Sequence, residues 1–476
     1  MDFLKNTKNR LKANIIKQIV ALLSKVSNKN LAKAARLAKS LTRMSDTKSQ
    51  AEEMAKYFEQ GHPSVELAKE LLARLNKNCR EKLVINFFMN AGILGREQHE
   101  IFTKREGFEP PWFLLISPTM RCNLNCLGCS TREFNSSTDL PREIIDKVFN
   151  EAKKEMGIYF IVTLGGEMFV RKDIFDIWKA HNDMYFQIYT NGTLIDKKVA
   201  KKLAEVGNVT PCLSVEGFKE QTDYRRGPGV WDKIMQAMDN LKEAGVPFGF
   251  SATMTKYNAD VITSDEFIDF MINKGCLIGW YFQYIPIGKK PDVNLMATPQ
   301  QRNKLRQMVG RVRNTKPLFL GDFWNDGPYV EGCIAGRQYV HINNWGDVEP
   351  CGFVHFTVEG LNVKEKTLTE ILKSPFYKTM RRRIQAIGAP EAYSDNMLTP
   401  CQIIDQPWVL RDLVKEFGAY ATDGGDALLS GEIAKALDEY SRELHKIYDK
   451  VWVDEYPEYA KKYREELEKI RKKVFV

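Results

Sequence analysis

Short apolar runs alternate with amphipathic stretches along the middle of the chain. Six runs are rich in aliphatic and aromatic residues and have the length of strands: 113–117, 159–164, 185–190, 209–215, 248–254 and 278–284. Stretches with helical spacing of apolar positions lie between them, for example 141–155, 196–206, 231–244 and 264–274. Six strand–helix repeats predict an α/β protein with a partial (β/α)6 barrel at 111–290. Its active site would lie at the carboxyl ends of the strands.

The first 110 residues have a helical pattern throughout. An apolar stripe recurs at helical spacing through Leu11, Ile15, Ile16, Ile19, Val20, Leu22, Leu23 and Val26, and a basic flank follows at Lys33, Arg36, Lys39 and Arg43. We predict a basic amphipathic arm at 1–50 and a helical region at 51–110, which Glu109-Pro110-Pro111 ends. Such an arm is typical of a helix that lies in a membrane interface. The alternative is a helical subdomain that packs its stripe onto the barrel.

The C-terminal third has a different order of predicted elements. A connecting helix and loop are expected at 291–330, a small cysteine-containing domain at 331–410 and C-terminal helices at 411–476. The helical stretches themselves run over 408–420 and 430–472.

Charge and cysteine usage narrow the class of protein. The net charge is +9, and residues 1–49 carry twelve Lys and Arg against two acids, so the rest of the chain is close to neutral. The arm lacks interleaved aromatic residues, so we expect no nucleic-acid partner. Nine unevenly spaced cysteines favour a protein of the reducing cytoplasm over a secreted protein with a disulfide framework. The basic arm is compatible with a peripheral position on the inner face of the membrane. We expect no signal peptide and no membrane-spanning segment.

Three cysteines follow the first strand at C-x3-C-x2-C spacing. They are Cys122, Cys126 and Cys129, and no histidine or further cysteine lies nearby. A structural zinc site needs four protein ligands. Three thiolates on a short loop suit instead three irons of a [4Fe–4S] cluster, which leaves the fourth iron open for chemistry.

Polar motifs stand at the ends of the next three predicted strands. Gly165-Gly166-Glu167 ends the second strand, Asn191 follows the third, and Ser214 and Glu216 end the fourth. Since the carboxyl ends of parallel strands share one edge of a sheet, these residues and the cysteines are expected to form a single site. For Asn191 and Ser214, plain turn chemistry is the alternative.

With these motifs, residues 112–290 resemble the radical S-adenosylmethionine (radical SAM) superfamily. The resemblance implies that the cysteine triplet holds the cluster and that the open iron chelates S-adenosylmethionine. It also implies that Gly165, Gly166 and Glu167 pair with the amine of this cofactor, and that Asn191, Ser214 and Glu216 lie around it. Arg225 is a candidate for holding an anionic group, with a solvated turn as the alternative. A ferredoxin or flavodoxin would reduce the cluster, and a 5′-deoxyadenosyl radical would take hydrogen from an unactivated carbon.

A second set of cysteines follows the predicted barrel. Cys333, Cys351 and Cys401, with the Gly346-x4-Cys351 spacing, resemble the SPASM or shorter twitch extension, which implies an auxiliary [4Fe–4S] cluster. His355 or Asp405 would supply a fourth ligand, or one iron would stay open. The alternative is three unliganded core thiols. The remaining cysteines, Cys79, Cys212 and Cys276, are expected to be buried small apolar residues.

The substrate has two candidate classes. The Phe113-Leu114-Leu115 entry strand and the segments 282–288, 322–327 and 401–405 are similar to those of a group of bacterial radical SAM proteins that includes membrane-lipid enzymes. Hydrogen abstraction from a lipid acyl chain, leading to C–C coupling of tails, is therefore the first hypothesis. The basic arm and a membrane-lipid partner fit it. A SPASM-type peptide maturase is the alternative, and a non-enzymatic metal-binding protein is a third. No catalytic residue beyond the cofactor ligands is assigned.

Overall fold

The computed structural model describes residues 27–41, 45–131, 138–384 and 395–474. The apolar stripe of the predicted arm, Leu11 to Val26, lies outside these residues, so its placement stays a prediction. Among the described helices, none is both long and apolar enough to cross a bilayer.

One large sheet forms the centre of the molecule. Its first seven strands are parallel and neighbour one another in chain order, from β1 to β7. They are β1 (Leu114–Ile116), β2 (Phe160–Thr163), β3 (Tyr185–Thr190), β4 (Val209–Ser214), β5 (Gly249–Met254), β6 (Ile278–Gln283) and β7 (Phe319–Asp322). β8 (His341–Ile342) pairs in parallel with the other edge of β1, and β9 (Val348–Glu349) pairs antiparallel with β8. The six predicted strands are therefore present in the expected parallel order.

Helices link and cover these strands. Between β1 and β7 they are α6 (Arg142–Glu151, continued by a π-helical turn Ala152–Met156), α7 (Ile174–Ala180), α8 (Lys197–Val206), α9 (Lys219–Arg226), α10 (Val230–Glu243), α11 (Ala259–Ile262), α12 (Asp265–Lys274) and α13 (Pro299–Thr315). Local signals set their ends: the Ser264 hydroxyl accepts the Phe267 N–H where α12 begins, and Gly275 ends this helix at a φ of +100°. The four predicted helices lie where the apolar spacing indicates.

The seventh parallel strand differs from the expected connecting loop at 291–330. β7 is four residues long and begins at the exposed Phe319, so its sequence shows little apolar alternation. Gly321 lets it lie against β6, because a Cβ there would come within 2.4 Å of the Trp280 ring. Tertiary packing rather than local pattern therefore produces this strand.

The N-terminal helices pack beneath the barrel. They are α1 (Asn28–Leu41), α2 (Ser45–Gln60), α3 (Pro63–Arg74), α4 (Lys77–Lys82) and α5 (Gly95–Glu106), with a π-helical segment Leu83–Leu94 joining the last two. Side chains from this region donate to backbone carbonyls of the barrel: Asn78 to Ala204 in the last turn of α8, and Asn86 to Met184, directly before β3. Arg36, part of the predicted basic flank, pairs with Glu52 and Glu59 of α2. The described part of this region is thus helical and pairs one of its basic side chains within the protein, while the choice between a membrane-interface arm and a helical subdomain stays a prediction.

The C-terminal third combines short strands with helices. After α14 (Gly327–Val330), its elements are β10 (Phe356–Thr357), α15 (Leu368–Leu372), α16 (Pro375–Ile384), α17 (Pro407–Phe417), β11 (Tyr420–Ala421), α18 (Gly431–Glu455) and α19 (Pro457–Val474). The long helix expected over 430–472 is two helices, because Pro457 cannot continue α18. A separate apolar cluster containing Leu398, Tyr448 and Trp452 joins α18 to the segment before α17.

Candidate functional site

The loop after β1 brings the first three cysteines to a cavity inside the barrel. Cys122, Cys126 and Cys129 all line this cavity, whose volume is about 260 Å³. Gly128 shapes the loop: its φ is +63°, and a Cβ would come within 2.6 Å of the Tyr284 ring. Burial raises the pKa of the Cys122 thiol. Three thiols on one short loop therefore face a single space.

The glycine pair after β2 packs against this cysteine loop. A Cβ on Gly166 would lie 2.0 Å from the Arg121 carbonyl oxygen, and one on Gly165, at φ +110°, would lie 2.4 Å from the Thr119 oxygen. The N–H groups of Gly166 and Glu167 donate to these two carbonyls. The glycines line the cavity, and they are required here because the two loops touch through their backbones.

The Glu167 side chain binds residues at the end of β3 and does not face the cavity. It is fully buried and accepts hydrogen bonds from the Thr190 hydroxyl at 2.8 Å and from the Asn191 N–H at 2.8 Å. Burial raises the pKa of this carboxyl group, and the hydrogen bonds from Asn191 and Thr190 oppose that shift. In this arrangement the carboxylate is engaged by Thr190 and Asn191 and does not line the cavity, whereas Gly165 and Gly166 do; the expected contact of this motif with the amine of S-adenosylmethionine stays a prediction.

Asn191 and Ser214 both line the cavity. Asn191 donates to the Asn123 side chain at 2.9 Å, and its amide nitrogen lies 3.9 Å from the Cys122 sulfur. The Ser214 and Ser251 hydroxyls are 3.3 Å apart at the ends of neighbouring strands. The structure therefore brings both predicted residues to the cysteine loop or its cavity.

Glu216, by contrast, is the centre of a buried ion cluster. Its Oε1 accepts from Arg225 at 2.6 Å and from Arg226 at 2.5 Å, and the carboxylate is 1% exposed. Burial opposes the charge of Arg226, but Glu216, Cys126 and Cys129 raise the pKa of this guanidinium above its ordinary value. Glu216 does not line the cavity, whereas both arginines do. The predicted contact of Glu216 with the cofactor stays a prediction, and in this arrangement the arginines that it orients are the groups that line the cavity.

Arg225 retains an unused donor. Its Nη2 donates to the Gly128 carbonyl at 3.3 Å, while its buried Nε has no hydrogen-bond partner in the described part of the chain. A cation with a spare N–H group beside the three thiols suits an anionic group, such as the carboxylate of an amino acid.

An aromatic wall forms the other end of the cavity, and sequence reasoning did not identify it. Inward-facing residues alternate along the strands: Phe160 and Val162 on β2, and Trp280 and Phe282 on β6. Phe113, Tyr189, Phe323, Tyr339 and Phe353 complete the wall. Period-two alternation within the predicted strands was the signal that could have found the residues on β2 and β6.

The second cysteine set lies behind this wall. The Tyr339 hydroxyl donates to the Cys351 sulfur at 2.8 Å. Gly352 and Phe353, which follow Cys351 in the chain, line the cavity. Burial raises the pKa of Cys333, Cys351 and Cys401 to about 12 each, and each thiol is close enough to another of the three to add to the shift. These thiols therefore form a group, which favours a shared ligand over three unrelated core positions.

Both predicted fourth ligands face other charged groups in this arrangement. The Asp405 carboxylate forms a fully buried ion pair with Arg302, at 2.5 Å and 3.2 Å. The two ring nitrogens of His355 lie 3.3 Å from Glu349 and 3.3 Å from Asp423. The remaining cysteines, Cys79, Cys212 and Cys276, are buried as expected.

Two family profiles match the chain. The radical SAM superfamily matches residues 116–268, and the iron–sulfur cluster-binding SPASM domain matches residues 333–416. These ranges contain the first cysteine set and the second cysteine set respectively.

Named relatives cover about half of the chain. An AdoMet-dependent heme synthase of Methanosarcina barkeri is 23% identical over 53% of this chain and 79% of its own length. The mycofactocin maturase MftC of Mycolicibacterium smegmatis is 29% identical over 52% of this chain and 66% of its own. The expected similarity to membrane-lipid enzymes is not supported by these relatives.

Solved structures agree on the fold. SuiB of Streptococcus suis bound to S-adenosylmethionine superposes with a TM-score of 0.51 at 21% identity, covering 70% of this chain and 80% of that one. SuiB bound to its precursor peptide SuiA gives the same TM-score, at 20% identity over 69% of this chain and 80% of that one. The chain belongs to the radical SAM superfamily and is a [4Fe–4S]-dependent, S-adenosylmethionine-using enzyme with a SPASM domain.

Proposed function

We propose that Cys122, Cys126 and Cys129 hold the [4Fe–4S] cluster and that S-adenosylmethionine occupies the adjoining end of the cavity. When bound, this pair supplies a carbon-centred radical that takes hydrogen from an unactivated carbon. The three thiols on one loop and the spare donor of Arg225 support this assignment.

The chain's own residues would position the cofactor. Glu216 fixes Arg225 and Arg226 at the cavity edge, where the cations would bind the carboxylate of the methionine moiety. Backbone groups of Gly165 and Gly166 and the side chains of Asn191 and Ser214 are the other polar contacts available there. A one-electron donor of the ferredoxin or flavodoxin kind would be the reductant.

The aromatic wall indicates the class of substrate. Among the described residues that line the cavity, only Arg225 and Arg226 are charged, and both lie at the cysteine end. An apolar or aromatic group is therefore what the other end accommodates. The apolar lining carries the proposal of an apolar substrate group, and we propose that this group is a peptide side chain. The peptide-maturing relative MftC and the SuiB complex support it.

A lipid acyl chain is the second candidate. The apolar lining suits an alkyl chain equally well, and the described N-terminal region is helical, without a strand module of the kind that captures a leader peptide. A porphyrin, the ligand class suggested by the heme-synthase relative, fits less well, because its carboxylates would find no cation at the aromatic end.

We assign Cys333, Cys351 and Cys401 to the auxiliary cluster. Their position behind Tyr339 and Phe353 would place it on the substrate side of the cavity. Since Asp405 and His355 are engaged elsewhere, one iron would remain open to substrate or to a residue that moves.

Substrate-dependent turnover of S-adenosylmethionine tests this proposal. The reduced, anaerobic enzyme is incubated with peptides encoded by short reading frames beside its gene, or with vesicles of polar lipids from its host. Chromatography with mass detection then measures 5′-deoxyadenosine. Stimulation by a peptide together with a mass change in that peptide is the expected result. If only the vesicles stimulated formation of 5′-deoxyadenosine, the peptide proposal would be wrong and the acyl-chain candidate would take its place.

The variant Phe353→Ala tests whether the aromatic wall binds the substrate. Loss of an aromatic contact worth about 1.5–3 kcal/mol should raise KM for the substrate about ten- to a hundredfold. Phe319→Ala is the matched control, because Phe319 is 52% exposed and does not line the cavity. Equal KM values for the two variants would show that the wall does not bind the substrate.

A further inference from the structure

Two histidines and a glutamate meet in the core of the C-terminal third, apart from both cysteine sets. His341 lies on β8, Glu349 on β9, and His355 directly before β10. The side chains of all three are at most 1% exposed, and one potential ligand atom from each lies within 4.8 Å of the others. A buried N/N/O donor set of this kind is the one that binds Zn²⁺ or Fe²⁺ in proteins.

The separations suit a shared ion. The Nδ1 atom of His341 lies 2.7 Å from Glu349 Oε2, and the Nδ1 atom of His355 lies 3.3 Å from the same oxygen. Two atoms that are each about 2.0–2.1 Å from a tetrahedral zinc ion are about 3.3 Å apart. The His341–Glu349 contact would have to widen by about 0.6 Å, and the ligand nitrogens of the two imidazoles, which lie within 4.8 Å of each other, would have to reach about the same separation.

Ser117 and Asp423 face the opposite ring nitrogens, the first within hydrogen-bond distance and the second as an ion-pair contact. His341 Nε2 lies 2.7 Å from the Ser117 hydroxyl, and His355 Nε2 lies 3.3 Å from an Asp423 oxygen. A histidine that binds a metal through one nitrogen normally has its other nitrogen held in this way, often by a carboxylate, and this fixes the tautomer and the ring orientation. The surroundings of the three residues thus match those of a metal site.

Charge balance points in the same direction. The Glu349 carboxylate is paired with the two imidazoles and with the neutral donors Asn343 and Thr422, and in the described part of the chain no Lys or Arg contacts it. The Asp423 carboxylate adds a second negative charge about one imidazole ring away. A divalent cation would neutralise both carboxylates and leave both imidazoles neutral, which lowers the cost of burying them.

We propose that His341 Nδ1, His355 Nδ1 and Glu349 Oε2 bind one divalent transition-metal ion, distinct from the two iron–sulfur sites. The ion would tie together β8, β9 and the start of β10, and through Ser117 it would reach the end of β1. Its role is therefore structural: it would hold the cysteine-bearing segment around Cys351 against the barrel.

Zinc is the probe for the test. The full-length enzyme, with its iron–sulfur clusters in place, is equilibrated anaerobically with Zn²⁺ and freed of excess. Elemental analysis and X-ray absorption at the zinc edge are then recorded. We expect one zinc per chain with nitrogen and oxygen neighbours at about 2.0–2.1 Å. Absence of bound zinc, or a sulfur shell at about 2.3 Å, would overturn the proposal.

Variants locate the ion. His341→Asn and Glu349→Gln should lose the zinc while the first cysteine set keeps its iron, and Asp423→Asn should bind zinc about 10–100-fold more weakly. His181→Asn is the control, since His181 is a buried imidazole paired with Asp146 elsewhere in the fold. Retention of zinc by both ligand variants would refute the assignment. Should a variant fail to fold, which loss of iron would reveal, the wild-type absorption spectrum still decides.

Discussion

At the scale of single residues, the site depends on side chains that never face the cavity. Glu216 and Glu167 are buried carboxylates; the first orients two arginines, and the second joins the ends of β2 and β3. Gly166 fits between two loops because it has no Cβ. These residues position the groups that would contact the cofactor.

Glu216→Gln should destabilise the enzyme strongly. The change leaves Arg225 and Arg226 buried without their carboxylate, and breaking a buried pair by removing one partner costs about 3–5 kcal/mol of unfolding free energy. Urea unfolding measures this loss. Glu243→Gln is the control, because Glu243 forms an exposed pair with Lys197 and should change stability by less than about 1 kcal/mol. Similar losses for both variants would contradict the role given to Glu216.

Gly166→Ala should disturb the cysteine loop. Its Cβ would meet the Arg121 carbonyl at 2.0 Å, so the loop must shift and we expect iron bound at the first cysteine set to be lost. Iron analysis after anaerobic reconstitution measures the effect. Gly310→Ala, on an exposed face of α13 with nothing within 4 Å, should keep full iron and gain up to about 1 kcal/mol of stability. Full iron content in Gly166→Ala would show that the close approach is not required.

The sequence predicts the positions of these residues better than their orientation. Cysteine spacing and strand ends are local signals, so Cys122, Cys126, Cys129, Asn191 and Ser214 could be assigned to one edge of the sheet. The direction of a carboxylate depends on donors far along the chain, as with the Thr253 N–H that reaches Glu216. Sequence spacing carries no information about such pairings.

At the scale of elements, the barrel is closed at its lower end by the helical segment 77–106. Amide side chains of this segment satisfy carbonyls that precede the strands, and Phe87 packs on Phe160 and Tyr185. The helical character of this segment was predictable from composition, but its place beneath the strands was not. β7 was also missed, because a four-residue strand with an exposed first residue has almost no periodic signal.

Asn86→Ala should weaken this closure. Asn86 is 2% exposed and its amide donates to the carbonyls of Asn182 and Met184, so the variant leaves buried acceptors unsatisfied at a cost of about 1–3 kcal/mol. Chemical denaturation gives the value. Asn90→Ala removes one exposed bond to Asp183 and should cost less. If Asn90→Ala lost as much unfolding free energy as Asn86→Ala, or more, the buried hydrogen bonds of Asn86 would not be what fixes segment 77–106 beneath the strands.

At the scale of the whole molecule, a buried ion pair joins the barrel to the C-terminal third. Arg302 of α13 binds Asp405, which also accepts the Cys401 N–H at 3.0 Å, while α18 contributes Ser441, whose hydroxyl donates to the Asp405 carbonyl. The second cysteine set is thereby held in fixed relation to the barrel. One cavity, with thiols at one end and aromatic rings at the other, results from this assembly.

The central claim is that the first cysteine triplet makes this chain a radical SAM catalyst, and one assay tests it most directly. Reduced, reconstituted enzyme is mixed anaerobically with S-adenosylmethionine, and 5′-deoxyadenosine is quantified for the wild type, Cys126→Ala and Cys79→Ala. We predict product from the wild type and from Cys79→Ala, whose altered thiol is buried away from the cavity, and none from Cys126→Ala. Undiminished product from Cys126→Ala, or none from the fully loaded wild type, would contradict the account.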